Sequence, residues 1–207
     1  MPRKLALLLT LSVIMIVPAT ISAAPLVEFT SPGSAFTNGS WTFGIDFSVG
    51  RSDILVTALG YYDDSGDGFV DDHEVGIYDS LGNLLASTVA TSSSTLIGHF
   101  RYEDIAPVTL LAGDTYRVVG VSHSDLYTWD DPGFAADPSV TYLGDTYDSG
   151  TTLFDPTGQH QNDVSDGFFG PNLFINGTSS SVPEPGAYSL VGCGLAALLV
   201  KFRRRAV

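Results

Sequence analysis

Alternation of apolar and polar side chains is the feature that most constrains the fold of this chain. From Trp41 to Val49 every second residue is apolar, and the residues between them are Thr, Gly, Asp and Ser. A period of two places successive side chains on opposite faces of an extended strand. We therefore predict a half-buried β-strand over these nine residues.

Seven further short runs resemble this pattern, and no window keeps the 3.6-residue period of an α-helix. Clusters of Gly, Asp, Asn, Pro and Ser separate them, which is typical of all-β domains. The body is therefore predicted to be an antiparallel β-sandwich or a jelly-roll-like domain. We expect a tight hairpin connection at 79–83, a turn at 111–114, and long loops around one or two strands over 126–170. The predicted strands after the first are 54–62, 74–78, 84–90, 95–102, 116–122, 140–143 and 173–175.

Charge is distributed unevenly along the 207 residues. The formal net charge is −14, but between positions 25 and 181 there are 22 acidic residues against three basic ones, a formal charge of −19. Such a body has no basic surface that could displace counterions from phosphates, which excludes nucleic acid as a partner. A single cysteine, Cys193, excludes a disulfide scaffold and a cysteine-zinc cluster.

The first 24 residues have the layout of a secretory signal peptide. Arg3 and Lys4 precede an apolar stretch over 5–17, and small residues close the segment at 22–24. The apolar stretch is shorter than the roughly 20 residues that span a bilayer. We therefore expect residues 1–24 to form a signal helix that is cleaved after Ala23 or Ala24, and the protein to be exported.

The other end combines a polar linker, an acidic-proline motif, an apolar segment and a basic cluster. The linker covers 177–181, and the apolar segment covers 186–200. An apolar segment followed by basic residues is typical of a single transmembrane helix whose basic end stays cytoplasmic. The motif and cluster residues are Val182, Pro183, Glu184, Pro185, Arg203, Arg204 and Arg205.

These features, in this order and spacing, closely resemble the bacterial PEP-CTERM sorting tail, which is also named after the C-terminus of an ice-binding protein. The resemblance covers residues 182–207. It implies recognition by an exosortase, a membrane cysteine protease-transpeptidase, and processing near the Pro-Glu-Pro motif. It also implies passage through the inner membrane to the cell surface or extracellular matrix. The implied partners are the secretion machinery and this sorting enzyme, whose substrate the tail would be.

Residues 25–176 form the predicted exported domain, and their motifs have a resemblance of their own. They are similar to a family of exported bacterial β-domains catalogued as a domain of unknown function, over roughly residues 36–175. That family implies a β-sandwich in surface or matrix proteins and supplies no established catalytic residues. The segments that carry the resemblance are Ala58–Asp63, Gly66–Gly68, His73–Asp79, Gly82–Ser87 and Leu110–Tyr116.

The densest acidic cluster matches the spacing of a twelve-residue calcium loop. Calcium needs six to eight oxygens that converge on one point, and residues two apart in a tight loop can supply them. Calcium in a structural role is therefore the predicted cofactor. Both flanks are predicted strands instead of the helices of an EF-hand, so a solvated acidic hairpin loop is the alternative. The candidate ligands are Asp63, Ser65, Asp67, the Phe69 carbonyl, Asp71 and the bidentate Glu74.

Three aromatic residues, Tyr127, Trp129 and Phe134, share an acidic loop and are candidate ligand-binding residues. Aromatic faces beside carboxylates can hold a sugar through stacking and hydrogen bonds to its hydroxyl groups. An extracellular polysaccharide is therefore a candidate partner. The alternative is that these side chains pin a long loop onto the sandwich.

Catalytic motifs are missing from the sequence. Ser122-His123-Ser124-Asp125 contains the residue types of a hydrolase triad, but neighbours in sequence cannot supply its geometry. We therefore predict a non-enzymatic protein of the cell surface or exopolysaccharide matrix. The alternatives are a calcium-dependent carbohydrate-binding module and a secreted glycan-active enzyme, which would need two facing carboxylates.

Overall fold

The computed structural model describes residues 23–129, 134–161 and 167–178, and within these ranges every regular element is a β-strand except for one three-residue 3-10 turn at Asp64–Gly66. The strands are β1 (Ala23–Pro25), β2 (Val27–Phe29), β3 (Ser34–Phe36), β4 (Trp41–Val49), β5 (Ile54–Tyr62), β6 (His73–Asp79), β7 (Leu84–Ala90), β8 (Thr95–Ile97), β9 (Phe100–Leu110), β10 (Thr115–Val121), β11 (Tyr127–Trp129), β12 (Phe134–Ala136), β13 (Val140–Ser149), β14 (Gln159–Gln161), β15 (Phe168–Phe169) and β16 (Pro171–Thr178).

Two antiparallel sheets form the body of the domain. A five-stranded sheet has the order β1-β16-β5-β9-β8, and a six-stranded sheet has the order β14-β13-β4-β10-β6-β7. Two small sheets, β15-β11-β3 and β12-β2, lie beside them. The core holds side chains from both large sheets, among them Ile45 and Phe47 of β4 with Leu59 and Tyr61 of β5. The all-β prediction is confirmed, and the fold is consistent with the predicted sandwich.

Strand β4 has the predicted bounds but is buried on both faces. Its alternation predicts one face in water, yet Thr42 and Asp46 are as buried as their apolar neighbours. Residues 150–158 cover this second face, because the Thr152 carbonyl accepts a hydrogen bond from Thr42 Oγ1 at 2.8 Å. Arg117 binds both Asp46 and Asp155, and so connects the sheet to the covering segment. Thr42 and Asp46 of the alternation are therefore buried and paired.

Most predicted strands are present, but the structure adds the unpredicted short strands β1 to β3, and two other regions also differ. Residues 95–102, predicted as one strand, form β8 and the start of β9, because Gly98 adopts a φ of 59° and turns the chain between Ile97 and Phe100. Strand β9 then continues to Leu110, beyond the predicted end. Region 126–170 carries β11 to β15 instead of long loops around one or two strands. Four of these five strands have only two or three residues, too few for a period of two to be visible.

The predicted hairpin connection at 79–83 joins β6 to β7. Asp79 Oδ1 accepts hydrogen bonds from the backbone N–H groups of Leu81 and Asn83, both at 2.9 Å. Gly82 supplies the left-handed conformation of the turn with a φ of 80°. The side-chain amide of Asn83 also donates to Asp79 Oδ2 at 2.9 Å, and this bond, followed by the backbone bond from Asn83, lowers the pKa of Asp79.

The fold class needs one correction. We predicted an N-terminal signal helix and a C-terminal single transmembrane helix, but the described residues contain no α-helix, and none of their helical segments is long and apolar enough to cross a membrane. Ala23 and Ala24, the last two residues of the predicted signal helix, are extended, because they pair with Asn176 and Ile175 of strand β16. The predicted helices fall mainly on 1–22 and 179–207, which lie outside the described residues. The fold class of the described residues is therefore all-β, and they contain no helix of the predicted kind.

Candidate functional site

Asp63, the first residue of the acidic segment 63–74, is the most deeply buried of its carboxylates. Its side chain has no exposed surface and lies 2.5 Å from Arg101 Nε. The backbone N–H of Gly68 donates to the same carboxylate at 3.1 Å. The remaining guanidinium nitrogens of Arg101 donate to the carbonyls of Ser94 and Gly66. Arg101 therefore neutralises Asp63 and ties the acidic segment to the five-stranded sheet.

Asp71 and Glu74 of the same segment contact the chain that follows β10. Ser124 donates to Asp71 from its backbone N–H at 3.1 Å and from its hydroxyl group. These two bonds lower the pKa of Asp71. Glu74 lies 3.0 Å from Nε2 of His123. Two of the predicted calcium ligands are thus engaged with residues that sequence reasoning did not connect to them.

The other predicted ligands, Ser65, Asp67 and Phe69, have different surroundings. Ser65 and Asp67 are exposed. The Phe69 carbonyl, predicted to bind calcium, accepts a hydrogen bond from Ser92 Oγ at 2.9 Å. No group of three or more His, Cys, Asp or Glu side chains that could hold a metal ion occurs in the part of the chain that the structure describes. The calcium site stays a prediction, and the described contacts do not support it.

His73, the residue before the last of the acidic segment, is fully buried. Its ring stacks on Tyr61 with centroids 3.9 Å apart and an interplanar angle of 6°. Nδ1 lies 2.7 Å from the Val121 carbonyl, and Nε2 lies 3.1 Å from Asp125 Oδ2. Burial lowers the pKa of His73, and both oxygen partners oppose this effect. Asp125 also accepts hydrogen bonds from the backbone of Val70, so it holds the acidic segment at this end as well.

The residues with hydrolase-like composition have separate partners. His123 contacts Glu74, and Ser124 donates to Asp71. Ser122 Oγ accepts a hydrogen bond from the backbone N–H of Trp41 at 2.9 Å. Their described contacts therefore hold loops and strand ends together instead of forming a serine-histidine-aspartate relay.

A second feature, which we call the aromatic cleft, opens where the first residues of β4 meet the small sheet β15-β11-β3. Its volume is about 320 Å³. Phe43 and Tyr127 are buried and form its floor, with ring centroids 4.9 Å apart. Asn38 is exposed and forms the polar rim. The half-buried walls consist of Phe36, Trp41, Tyr147 and Phe168.

Neighbouring rings of the aromatic cleft stand edge to face. The Trp41 and Tyr147 centroids are 6.0 Å apart at 79°, and those of Tyr147 and Phe168 are 5.6 Å apart at 66°. The indole Nε1–H of Trp41 donates to Asn38 Oδ1 at 2.6 Å, which sets the orientation of the indole. The cleft therefore presents several ring faces and edges together with one amide group.

The structure separates the three aromatic residues that we predicted as a ligand-binding group. Tyr127 lines the aromatic cleft. Phe134 does not line it and packs instead against Tyr142 and Phe169, with centroids 4.9 Å and 4.8 Å away, as the loop-pinning alternative expects. Trp129 lies in β11, paired with Ser34, and its side chain is outside the described part of the structure.

Sequence reasoning missed most of the aromatic cleft. Its residues come from four separate parts of the chain, and the strand pattern assigned Trp41 to the core. The only local signal for the cleft was Trp41 at the first position of a strand, because a large aromatic side chain at a strand end is often open to solvent.

The family of the chain follows from its sequence match. A family model described as "Domain of unknown function (DUF4082)" matches residues 30–164, more than half of the chain. The chain belongs to this family. The predicted resemblance of the body to a domain of unknown function is thereby confirmed, and the DUF4082 match includes all residues of the aromatic cleft except Phe168. It does not extend to the tail at 182–207. No curated protein matches the chain.

Proposed function

We propose that this chain is an exported, non-enzymatic protein of the cell surface or extracellular matrix, sorted through its C-terminal tail. The observation that carries the proposal is the tail itself, in which Val182-Pro183-Glu184-Pro185 precedes an apolar segment and the basic cluster 203–205. The signal-peptide layout of residues 1–24 supports export independently. An exosortase-type enzyme and the secretion machinery are the partners that these two ends imply.

The position of the two ends in the fold is compatible with this route. Pro25, which is retained after either predicted cleavage, pairs with Phe174, so the chain enters and leaves the described domain through neighbouring strands at one edge of the five-stranded sheet. Strand β8 forms the opposite edge. A tether at residues 177–181 would therefore hold the domain by a single edge and leave the opposite one turned away from the attachment point.

The charge distribution supports a role outside the cell that involves neutral partners. Between positions 25 and 181 the formal charge is −19, and two of the three basic residues there, Arg101 and Arg117, are engaged with buried or half-buried aspartates. An anionic polymer would be repelled by such a body.

A second candidate function is carbohydrate binding, and the aromatic cleft is the observation that favours it. The aromatic cleft does not support the glycan-active alternative, because an enzyme of that kind needs two carboxylates facing one another across its cleft. No Asp or Glu is among the described residues that line the aromatic cleft.

Sorting can be tested by intact-mass spectrometry of the mature protein from a host that encodes an exosortase. We expect the wild-type mass to lack the first 23 or 24 residues and the segment that follows the Pro-Glu-Pro motif. The variant Pro183→Ala/Glu184→Ala/Pro185→Ala should keep the tail and stay in the membrane fraction. The linker variant Ser179→Ala/Ser180→Ala is the matched control and should behave as wild type. A mature wild-type protein that retains residues 186–207 would refute the proposal.

A further inference from the structure

We propose that the aromatic cleft binds a sugar ring of a neutral polysaccharide, without the help of calcium. The inference deepens the proposed function and rests on it only for the choice of an extracellular saccharide as ligand. The cleft itself is defined by the side chains of Phe36, Trp41, Tyr147 and Phe168 above the floor of Phe43 and Tyr127.

The size of the cleft fits a short saccharide. Its volume of about 320 Å³ lies at the lower end of the range of roughly 300–1,000 Å³ that is usual for small-molecule sites. One or two sugar units would occupy such a space, while the rest of a polymer would extend into solvent. The site is therefore expected to recognise a local part of a chain and not its whole length.

The chemistry of the walls suits a sugar ring better than a purely apolar ligand. Half-buried aromatic faces pack against the C–H face of a pyranose, and sugar hydroxyl groups need hydrogen-bonding partners at the rim. Asn38 supplies an exposed amide there.

The aromatic side chains of the cleft are held in place by contacts with one another and with Asn38. The hydrogen bond of 2.6 Å from Trp41 Nε1 to Asn38 Oδ1 holds the indole in place before any ligand arrives. Trp41 and Phe168 each pack edge to face against Tyr147. Side chains held in this way lose little conformational freedom on binding, which favours affinity.

The lining of the cleft also selects the charge of the ligand. Its seven described residues are all uncharged, so neither a carboxylate nor a sulfate on the polymer would find a counter-charge. The carboxylates of the acidic segment 63–74 do not line it either. Binding should therefore be independent of calcium and weaker for anionic polymers than for neutral ones.

The experiment is calorimetric titration of the full chain with defined oligosaccharides, in a detergent whose headgroup is not a sugar. The probes are neutral hexasaccharides of glucose, mannose and galactose, and oligogalacturonate is the anionic comparison. Titrations run in chelator and again in calcium. Variants are Trp41→Ala, which removes a wall, and Asn38→Ala, which removes the exposed amide without removing a packed ring. Leu81→Ala is the matched control, because Leu81 is an apolar side chain 85% exposed on the distant β6–β7 turn.

We expect at least one neutral hexasaccharide to bind, equally in chelator and in calcium. Trp41→Ala should weaken binding at least about tenfold, and Asn38→Ala about two- to tenfold, while Leu81→Ala leaves it unchanged. If Trp41→Ala fails to fold, Asn38→Ala decides. The inference is overturned if no neutral probe binds at about 10 mM, or if Asn38→Ala and a folded Trp41→Ala both bind as wild type. Neither result depends on sorting in cells, so the two proposals fail independently.

Discussion

Replacement of Arg101 by Met tests how the acidic segment is held. Arg101 Nε lies 2.5 Å from the carboxylate of Asp63, whose side chain is completely buried, while the Arg101 side chain is 14% exposed. Met keeps much of the length and apolar stem of Arg but removes the charge and three hydrogen bonds, to Asp63, Ser94 and Gly66. The variant would leave a buried carboxylate without its counter-charge.

The size of the effect follows from that burial. Loss of one partner of a buried ion pair typically destabilises a protein by about 3–5 kcal/mol, because the remaining charge is uncompensated. We expect the lower part of that range, about 3 kcal/mol, because Arg101 is partly exposed and Gly68 still donates to Asp63. In a domain of this size, that corresponds to a fall in Tm of roughly 6–12 °C.

The assay is urea unfolding followed by circular dichroism, in chelator, with the wild type, Arg101→Met, Asp63→Asn and the double variant. Because Asn at 63 is neutral, the double variant should recover part of the loss, with a coupling energy of at least about 1.5 kcal/mol. Arg51→Met, at an exposed arginine, is the matched control and should change the free energy of unfolding by less than about 0.5 kcal/mol. A loss below about 1 kcal/mol in Arg101→Met would refute the reasoning.

Two further predictions concern the loop and the sheet. Calcium at about 1 mM, the range of extracellular calcium modules, should change the Tm of the full chain by less than about 2 °C relative to chelator. The reason is that the predicted ligands already have partners: Arg101 for Asp63, Ser124 for Asp71 and Ser92 for the Phe69 carbonyl. A rise of several degrees would support the calcium site. Gly60→Ala should lower the free energy of unfolding by about 1–3 kcal/mol in the same urea assay. The reason is that a Cβ at this position would lie 2.7 Å from the Arg101 carbonyl oxygen and 2.6 Å from the Tyr102 ring. An unchanged unfolding midpoint would contradict this prediction.

Strand prediction succeeded where a run was long enough to show its period. Trp41–Val49, Ile54–Tyr62 and Leu84–Ala90 were predicted with the bounds that the structure has. It failed in region 126–170, where short strands such as Phe168–Phe169 are formed by pairing with distant partners. A strand of two or three residues owes its existence to its neighbours, which local pattern cannot reveal.

In the acidic segment, too, the sequence predicted the local pattern but not the contacts with distant residues. Its spacing suggested calcium ligands, because sequence reasoning could count carboxylates but could not find the residues facing them. Arg101 is 38 positions from Asp63, and Ser124 is 53 positions from Asp71, so neither partner is visible in a local motif. Only the antiparallel pairing of β5 with β9 brings Arg101 beside the start of the acidic segment.

The sequence by itself determined the strand-forming character of the body, its strong negative charge and its family, because side-chain periodicity, charge and family motifs are local properties of the chain. The tertiary structure decided which polar groups of β4 are buried, how the acidic carboxylates are neutralised, and that Phe36, Trp41, Tyr147 and Phe168 surround one cleft. These features depend on contacts between residues tens of positions apart. Such contacts arise only when the sheets pack, since the burial that makes an ion pair or an aromatic cleft matter is a property of the folded whole.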